Sequence, residues 1–411
     1  MTSETIAPNP NLTCLAPATQ ELVLEDIESA KALIVSEGSR LCAAAAGREA
    51  RAIVLTGSMS RGEATLKRDG GGWRVLGDAT FLVLSDAPAR LRVAELERAV
   101  EQSLQGHGIK CKIVVVTSTT ADLRNMKPHI YAYELRERGI VVWGDREALR
   151  LMPQFSAAEI PIEDGWWFLC NRMIEQLESA ADASSIHDQG TAVQYRITKL
   201  YLAMAACYLL AIGQYVPSYR ERVALLKKLA ASNDAPSAPL PLQRFSRLVS
   251  QCTDLKLQGE TCGGPDEFPQ WCDAVSDAEV LWRWVISRMS GMNANLSRTD
   301  LLGAMASRQP IMARAKGWAR AAYVQRSGFS RYCLRWARLA CIMSPRYLVY
   351  GAAAELFFSA RERDAITGDE LSSIVARLPL GPAERDQSMS WRAAARLVAH
   401  NFHVLLESTR S

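Results

Sequence analysis

Strand-like segments are confined to the first 155 of the 411 residues, and this confinement constrains the fold more than any other feature. Each segment is a short run of β-branched and other apolar residues, which is typical of a buried strand. The predicted strands are 51–55, 73–76, 78–84, 109–117 and 140–143. Helical patterns at 21–46, 90–105 and 130–138 alternate with them. This alternation predicts a mixed sheet covered by helices.

Beyond residue 155 the chain shows only helical periodicity. Helical segments recur from 162 to 407, including one continuous helix predicted over 299–325. We therefore predict an α+β protein, in which an all-helical region at 156–411 follows a mixed-sheet domain at 21–155. Residues 1–20 are polar and contain prolines, which is typical of a flexible tail. Turn-rich sequence near 232–268 suggests that the helical region divides there into two subdomains.

Cysteine usage and charge restrict the chain's environment. The ten cysteines are scattered and form no C-x-x-C pair, which disfavours a zinc site and is typical of a reducing cytoplasm. The N-terminus has no basic segment of the kind that begins a signal peptide. The longest apolar run, 200–213, is shorter than the roughly 20 residues of a membrane span and predicts a buried helix. A net charge of +4 does not by itself imply nucleic acid.

One cluster of residues points to phosphate chemistry. A predicted strand leads into Gly57-Ser58, and a second strand begins with Asp78, Ala79 and Thr80. A glycine permits a tight turn, and the backbone N–H groups at a helix start suit phosphate groups. Residues two apart on a strand share a face, so side chains at positions 78 and 80 would meet the same ligand.

These residues resemble the signature of the nucleotidyltransferases of the DNA polymerase β superfamily. Residues 130–145, a helix and strand ending in Trp143-Gly144-Asp145, are similar to the end of the aminoglycoside-type domains of that family. The resemblance covers about 45–155. It implies transfer of a nucleotidyl group from a nucleoside triphosphate, with Mg²⁺, to a hydroxyl acceptor between the domain and the helices. It also implies that Asp78 is catalytic and binds metal.

The same resemblance assigns phosphate binding to Gly57 and Ser58. Arg61, which follows in the motif, is predicted either to contact a phosphate or to lie on a solvated helix face. The resemblance breaks down at the other metal ligands. Thr80 stands where the second carboxylate is expected, and Lys110 and Lys112 occupy the strand that normally carries the third.

Two hypotheses follow from this departure. In the first, the chain is an active nucleotidyltransferase, with Glu63 and Glu134 as replacement carboxylates. In the second, it is a catalytically inactive relative that binds a nucleotide or a protein partner, with Lys110 and Lys112 neutralising phosphate directly. Binding that is indifferent to metal would distinguish the second hypothesis from the first.

The stretch 301–354 contains nine basic residues and no acidic ones. The basic residues are Arg308, Arg314, Lys316, Arg320, Arg326, Arg331, Arg335, Arg338 and Arg346. Aromatic residues, including Trp318 and Trp336, lie among them. We favour a solvated or interdomain face with the aromatic residues packed inside. Nucleic acid, an anionic membrane surface and an acidic polymer are the alternatives.

Overall fold

The computed structural model describes residues 26–88, 91–182, 191–232, 237–258, 270–326, 329–360, 366–382 and 389–406. The predicted tail at 1–20 lies outside these ranges. The sheet contains five strands, β1 (Ala50–Thr56), β2 (Leu66–Asp69), β3 (Gly72–Ser85), β4 (Ile109–Thr119) and β5 (Ile140–Gly144). The helices of this first part are α1 (Ile27–Ala46), α2 (Gly57–Ser60), α3 (Val93–Gly106), α4 (Thr120–Arg124) and α5 (Ile130–Arg138).

The sheet is mixed, as the sequence predicts. β3 is its centre: β1 and β2 pair with it antiparallel, and β4 pairs with it parallel. β5 joins the other side of β1. The predicted strands 73–76 and 78–84 form one continuous strand, which has a register irregularity between Arg74 and Asp78. β2, which the sequence analysis missed, forms a hairpin with β3 across Gly70 and Gly71, whose positive φ angles suit a tight turn.

The two faces of the sheet have different partners. Ala79, Phe81 and Val83 lie in one apolar cluster together with buried residues of α1 and α3. Leu82 and Leu84 point to the opposite face and lie in a second cluster. The first face requires close packing, because a Cβ at Gly38 would lie 2.1 Å from Phe81 Cζ. Helix α1 runs without a break through this glycine, where the sequence allowed an interruption.

Helix α3 protects the outer edge of β4. Carboxylate oxygens of Glu101 and Glu97 accept hydrogen bonds from the backbone amides of Ile113 (2.9 Å) and Val115 (2.8 Å). An unpaired strand edge is a template for association with other strands. The two glutamates satisfy amides that would otherwise be open.

Helices are the only regular secondary structure among the described residues after 155, so the α+β prediction is confirmed. Its helices are α6 (Ile162–Asp182), α7 (Thr191–Ala211), α8 (Tyr219–Ala231), α9 (Leu242–Gln258), α10 (Trp271–Ser290), α11 (Arg298–Arg308), α12 (Ile311–Val324), α13 (Phe329–Ala340), α14 (Pro345–Ser359), α15 (Gly368–Ala376) and α16 (Trp391–Leu405). The predicted helix 299–325 is wrong in one respect. It divides before Pro310, because proline has no amide hydrogen to continue a helix.

Helix α7 occupies the centre of the helical region. All residues from Leu200 to Ala211 are buried, which confirms the prediction that this apolar run is covered by protein. Among the described residues, no helix combines the length and the apolar character that crossing a bilayer would require.

Candidate functional site

The structure brings the Gly57-Ser58 turn next to the strand segment that carries Asp78 and Thr80. Thr56, the last residue of β1, pairs with Thr80 on β3, so the chain enters the turn at the level of Asp78 and Thr80. Gly57 has a φ of 75°, a left-handed conformation that glycine adopts at little cost. A Cβ at Gly57 would lie 3.9 Å from Thr80 Oγ1. The Gly57-Ser58 turn and the side chains of Asp78 and Thr80 therefore lie on one continuous surface.

The helix that follows the turn is short. Helix α2 spans only Gly57–Ser60, and the macrodipole of a helix depends on many aligned peptide units. Such a helix offers less positive potential than the sequence analysis expected. The turn can present backbone N–H groups and the Ser58 hydroxyl to a phosphate. Most of the positive charge at a phosphate site must come from other side chains.

Asp78 is exposed and faces the helical region. Side chains two residues apart on a strand share a face, so Asp78 and Thr80 lie on the same face as Leu82. That face packs against α7 further along the strand, where Leu82 lies in a cluster with Leu210. Lys112 on β4 is the register partner of Asp78. The carboxylate therefore stands beside a lysine at the mouth of the junction between the two parts of the protein.

Helix α9 is anchored to the strand just before Asp78. Lys256 Nζ donates a hydrogen bond of 3.0 Å to the carbonyl oxygen of Leu76, and the backbone carbonyl of Lys256 accepts one from the Thr65 hydroxyl. The hydroxyl of Tyr195 lies 3.5 Å from the same Leu76 oxygen. Lys256 is 9% exposed, so its ammonium group is held at the junction with little access to water.

Three cations of the helical region gather at this junction. The pKa of Lys256 is lowered to about 8, mainly by burial and in addition by the positive charges of Lys199 and Arg172. The pKa of Lys199 is also lowered, by burial and by Arg172. Asp78 opposes the shift in both lysines. Glu175 partly balances the cluster, forming a salt bridge with Arg172 and lying 3.5 Å from Lys199.

Tyr195 supplies an aromatic surface to the same cluster. The Nζ atoms of Lys199 and Lys256 lie 5.2 Å and 5.7 Å from the centroid of its ring. Both distances are within the range of cation–π attraction. The tyrosine ring offsets part of the repulsion between the two ammonium groups and keeps them close together.

The three cations were not predicted from the sequence, although α9 contains a signal for one of them. Phe245, Val249, Cys252 and Lys256 follow helical spacing and are all buried. A lysine at the end of an otherwise apolar stripe is unusual, because lysine is almost never fully buried without a partner. No comparable signal identifies Arg172 or Lys199, since their convergence depends on how α6 and α7 pack.

Arg61 lies in a buried ion-pair network rather than at the surface of the turn. Its Nε is 3.2 Å from Glu63 Oε2, its Nη1 is 3.0 Å from Glu134 Oε2, and its side chain is 7% exposed. Burial opposes the charge of Arg61, but the negative charges of Glu134 and Glu63 outweigh this effect and raise its pKa. The guanidinium is therefore committed to two carboxylates, and its predicted phosphate contact gains no support.

The same network joins the two parts of the protein. Ser218, which precedes α8, donates a hydrogen bond of 2.7 Å from its hydroxyl to Glu63 Oε1. Glu134 accepts a hydrogen bond from the hydroxyl of Tyr215 and lies 3.3 Å from Arg222 Nη2. Glu63 and Glu134, which we considered as replacement metal ligands, are thus held by cations and hydroxyls.

The side chains around Asp78 do not fit the two-Mg²⁺ site that the resemblance implies. Within the described ranges, no group of three or more His, Cys, Asp or Glu side chains is placed to hold a metal ion. Mg²⁺ prefers oxygen ligands, above all carboxylates. A divalent cation near Asp78 would instead face the positive charges of Lys112, Lys199 and Lys256. The donor set suits an anion better than a cation.

The two strand lysines have different surroundings. Lys110 Nζ is 3.2 Å from Asp69 Oδ2, so its charge is already balanced. Lys112 makes no ion pair with any residue that the structure describes. Of the two predicted phosphate-neutralising lysines, Lys112 is therefore the one whose charge remains available beside Asp78.

Comparison with known proteins adds no family assignment. No protein-family model matches the chain, and no curated protein matches it either.

Proposed function

We propose that this chain is a nucleotide-binding protein with a nucleotidyltransferase-like N-terminal domain, and that cationic side chains rather than Mg²⁺ hold the phosphates. One observation carries this proposal: Lys199 and Lys256 converge on the Tyr195 ring, where the charges of Arg172 and Asp78 act on both lysines. Asp78 is the remaining carboxylate of the motif. Lysine and arginine are the usual side-chain partners of phosphate. The phosphates would lie between the Gly57-Ser58 turn and the helical region.

The arrangement of charges supports this assignment. Lys112, Lys199, Lys256 and Arg172 contribute four positive charges, against two negative charges from Asp78 and Glu175. A triphosphate would therefore enter a site with a net positive charge. It would also give Lys256 a counter-charge that compensates for the hydration lost on burial. Binding of the anion and protonation of this lysine favour each other.

Nucleotidyl transfer to a hydroxyl acceptor remains the second candidate function. It is favoured by the position of Asp78 and Thr80 beside the Gly57-Ser58 turn on an open face. Under this alternative Asp78 would hold Mg²⁺ and be the catalytic carboxylate. The two candidates make opposite predictions for metal dependence. The first candidate allows a protein partner, because it needs no hydroxyl acceptor. Neither candidate requires nucleic acid.

A cytoplasmic location is part of the same proposal. Eight cysteines in the described ranges are free thiols, and five of them are buried. Free buried thiols are typical of proteins that work in a reducing compartment, where nucleoside triphosphates are also found.

Replacement of Asp78 by asparagine separates the two candidates. We expect Asp78→Asn to keep or strengthen triphosphate binding measured in EDTA, because it removes a negative charge beside the phosphates. The comparison variant is Asp69→Asn, whose carboxylate pairs with Lys110 and Arg74. We expect its affinity to match that of the original protein. A Kd that rises more than tenfold in Asp78→Asn alone when Mg²⁺ is present, with no such rise in EDTA, would favour Asp78 as a metal ligand and contradict our proposal.

The affinity for nucleotide is expected to fall as pH rises above about 8. Phosphate binding needs Lys256 protonated, and its pKa in the free protein is about 8. Each pH unit above this value should weaken binding by up to about tenfold, until the higher pKa of the lysine in the complex is reached. Calorimetry between pH 7.5 and pH 9.5 tests this, since the phosphates and arginines keep their charge there. A flat profile would exclude Lys256 from the site.

A further inference from the structure

The basic stretch 301–354 contains two kinds of cation. Some arginines tie helices together. Arg335 donates hydrogen bonds to the carbonyl oxygens of Leu378 (3.0 Å) and Pro382 (2.8 Å), and Arg314 donates one of 2.9 Å to that of Cys341. These arginines stabilise the ends of α15 and α13. Their role is structural.

Three other cations surround a cavity. Lys316 and Arg320 on α12 and Arg346 on α14 line a cavity of about 250 Å³. Within the part of the chain that the structure describes, none of the three forms an ion pair. The lining contains no acidic residue. The charges of Glu163 and Asp164, at the start of α6, act on this end of α14, and Asp164 already accepts a hydrogen bond from the amide of Ile130.

The inner wall of the cavity is apolar and aromatic. Trp167, Tyr347, Leu405 and Leu406 contribute to it. The guanidinium of Arg346 lies 4.2 Å from the centroid of the Trp167 ring, which fixes the arginine at the cavity. Trp167 Nε1 is buried and has no hydrogen-bond partner among the described residues.

The start of α14 adds positive potential to the same place. Ser344 precedes α14 and exchanges two hydrogen bonds with Gln309, at 2.9 Å and 3.2 Å. Because Ser344 is engaged in this way, no side chain caps the first turn of the 15-residue helix α14. Uncapped amides at a helix start favour an anion.

We propose that this cavity binds the phosphate monoester of a small amphiphilic molecule. Lys316, Arg320 and Arg346 would hold the phosphate, and Trp167 and the leucines would contact its apolar part. The cavity is smaller than a typical drug-sized site, so only a compact group fits inside. It is formed entirely by the helical region and is separate from the site at Asp78. The phosphate can come from a soluble ester or from a lipid headgroup.

Calorimetry with phenyl phosphate tests the proposal, using the Lys256→Met chain so that the site at Asp78 contributes little. We expect phenyl phosphate to bind and phenol to show no binding. Arg320→Gln and Arg346→Gln should each weaken binding at least tenfold. Arg338→Gln, an exposed arginine of α13 outside the cavity, is the matched control and should leave the affinity unchanged. Arg320 is exposed, so its replacement should not impair folding.

A second arm distinguishes the two sources of phosphate. Phosphatidylcholine vesicles with and without phosphatidic acid are sedimented with the protein. Binding to phosphatidic acid that is lost in Arg346→Gln, without binding of phenyl phosphate, would assign the cavity to a lipid headgroup. Binding of phenyl phosphate alone would assign it to a soluble ester. Failure of both probes, or equal binding by the Arg320 and Arg346 variants, would overturn the proposal.

Discussion

Replacement of Lys256 by methionine is expected to stabilise the free protein and to weaken triphosphate binding. Loss of a charged hydrogen bond to phosphate should cost about 2–3 kcal/mol of binding free energy, or roughly 30- to 150-fold in Kd. The lysine is held at the junction with a pKa lowered from 10.5 to about 8. Keeping it charged there costs on the order of 3 kcal/mol at neutral pH. Methionine removes this cost and preserves much of the packing.

The gain in stability should be smaller than this cost. The carbonyl oxygen of Leu76 loses its hydrogen bond from Lys256, which offsets about 1–2 kcal/mol. We expect a net gain of about 1–2 kcal/mol in the free energy of unfolding, measured by urea denaturation at pH 7. Because the unfolded chain binds the extra proton between pH 8 and 10.5, the original protein should gain more stability across that window than the variant, which keeps only the lowered pKa of Lys199.

Lys228→Met provides the matched control for this prediction. Lys228 lies on α8 and is exposed, so its replacement should change neither nucleotide affinity nor stability appreciably. If Lys256→Met lowered stability and left the Kd unchanged, Lys256 would be a structural anchor of α9. That result would remove the lysine from the proposed site.

Replacement of Arg61 by methionine is expected to have the largest effect on stability. The arginine balances Glu63 and Glu134, which are 1% and 18% exposed in their side chains. Removal of one partner from a buried ion pair leaves an uncompensated charge and costs about 3–5 kcal/mol. The network also connects the sheet domain to the helices through Ser218 and Tyr215. We therefore expect a loss of about that size in urea denaturation.

Two further variants test the cause of this loss. Arg40→Met removes an arginine that is 60% exposed and pairs with Glu37 along α1. It should cost less than about 1 kcal/mol. Adding Glu63→Gln to Arg61→Met should recover part of the stability, because it removes the more deeply buried of the two carboxylates that lose Arg61. If Arg61→Met were as mild as Arg40→Met and instead weakened nucleotide binding, the phosphate contact predicted from the sequence would be restored.

Most of the sheet could be predicted from the sequence because its strands are locally encoded. Segments such as 109–117 place alternate residues on the buried face of the sheet and consist of residues with strong β propensity. β2 escaped prediction because its four residues are mostly polar and gain their order only by pairing with β3. The break before Pro310 was predictable from the proline alone, but the apolar pattern continues through it and concealed the boundary.

Only part of the candidate site could be predicted, because some of its residues lie close together in the sequence and others do not. Gly57 and Ser58 lie in the turn after β1, and Asp78 lies on β3. Because β1 and β3 pair, the proximity of these residues follows from local strand pairing. Arg172, Lys199 and Lys256 lie on three helices far apart in the sequence. Their convergence depends on the packing of the helical region against β3. Arg61 illustrates the same limit, since its partner Glu134 is 73 residues away.

Calorimetric titration of ATP with Mg²⁺ and again with excess EDTA, together with an assay for released pyrophosphate, tests the central claim most directly. If side-chain cations hold the phosphates, ATP should bind in EDTA at least as tightly as with Mg²⁺, because the free nucleotide carries more negative charge. No pyrophosphate should be released in either condition. Binding that requires Mg²⁺, or the absence of binding in both conditions, would contradict this account.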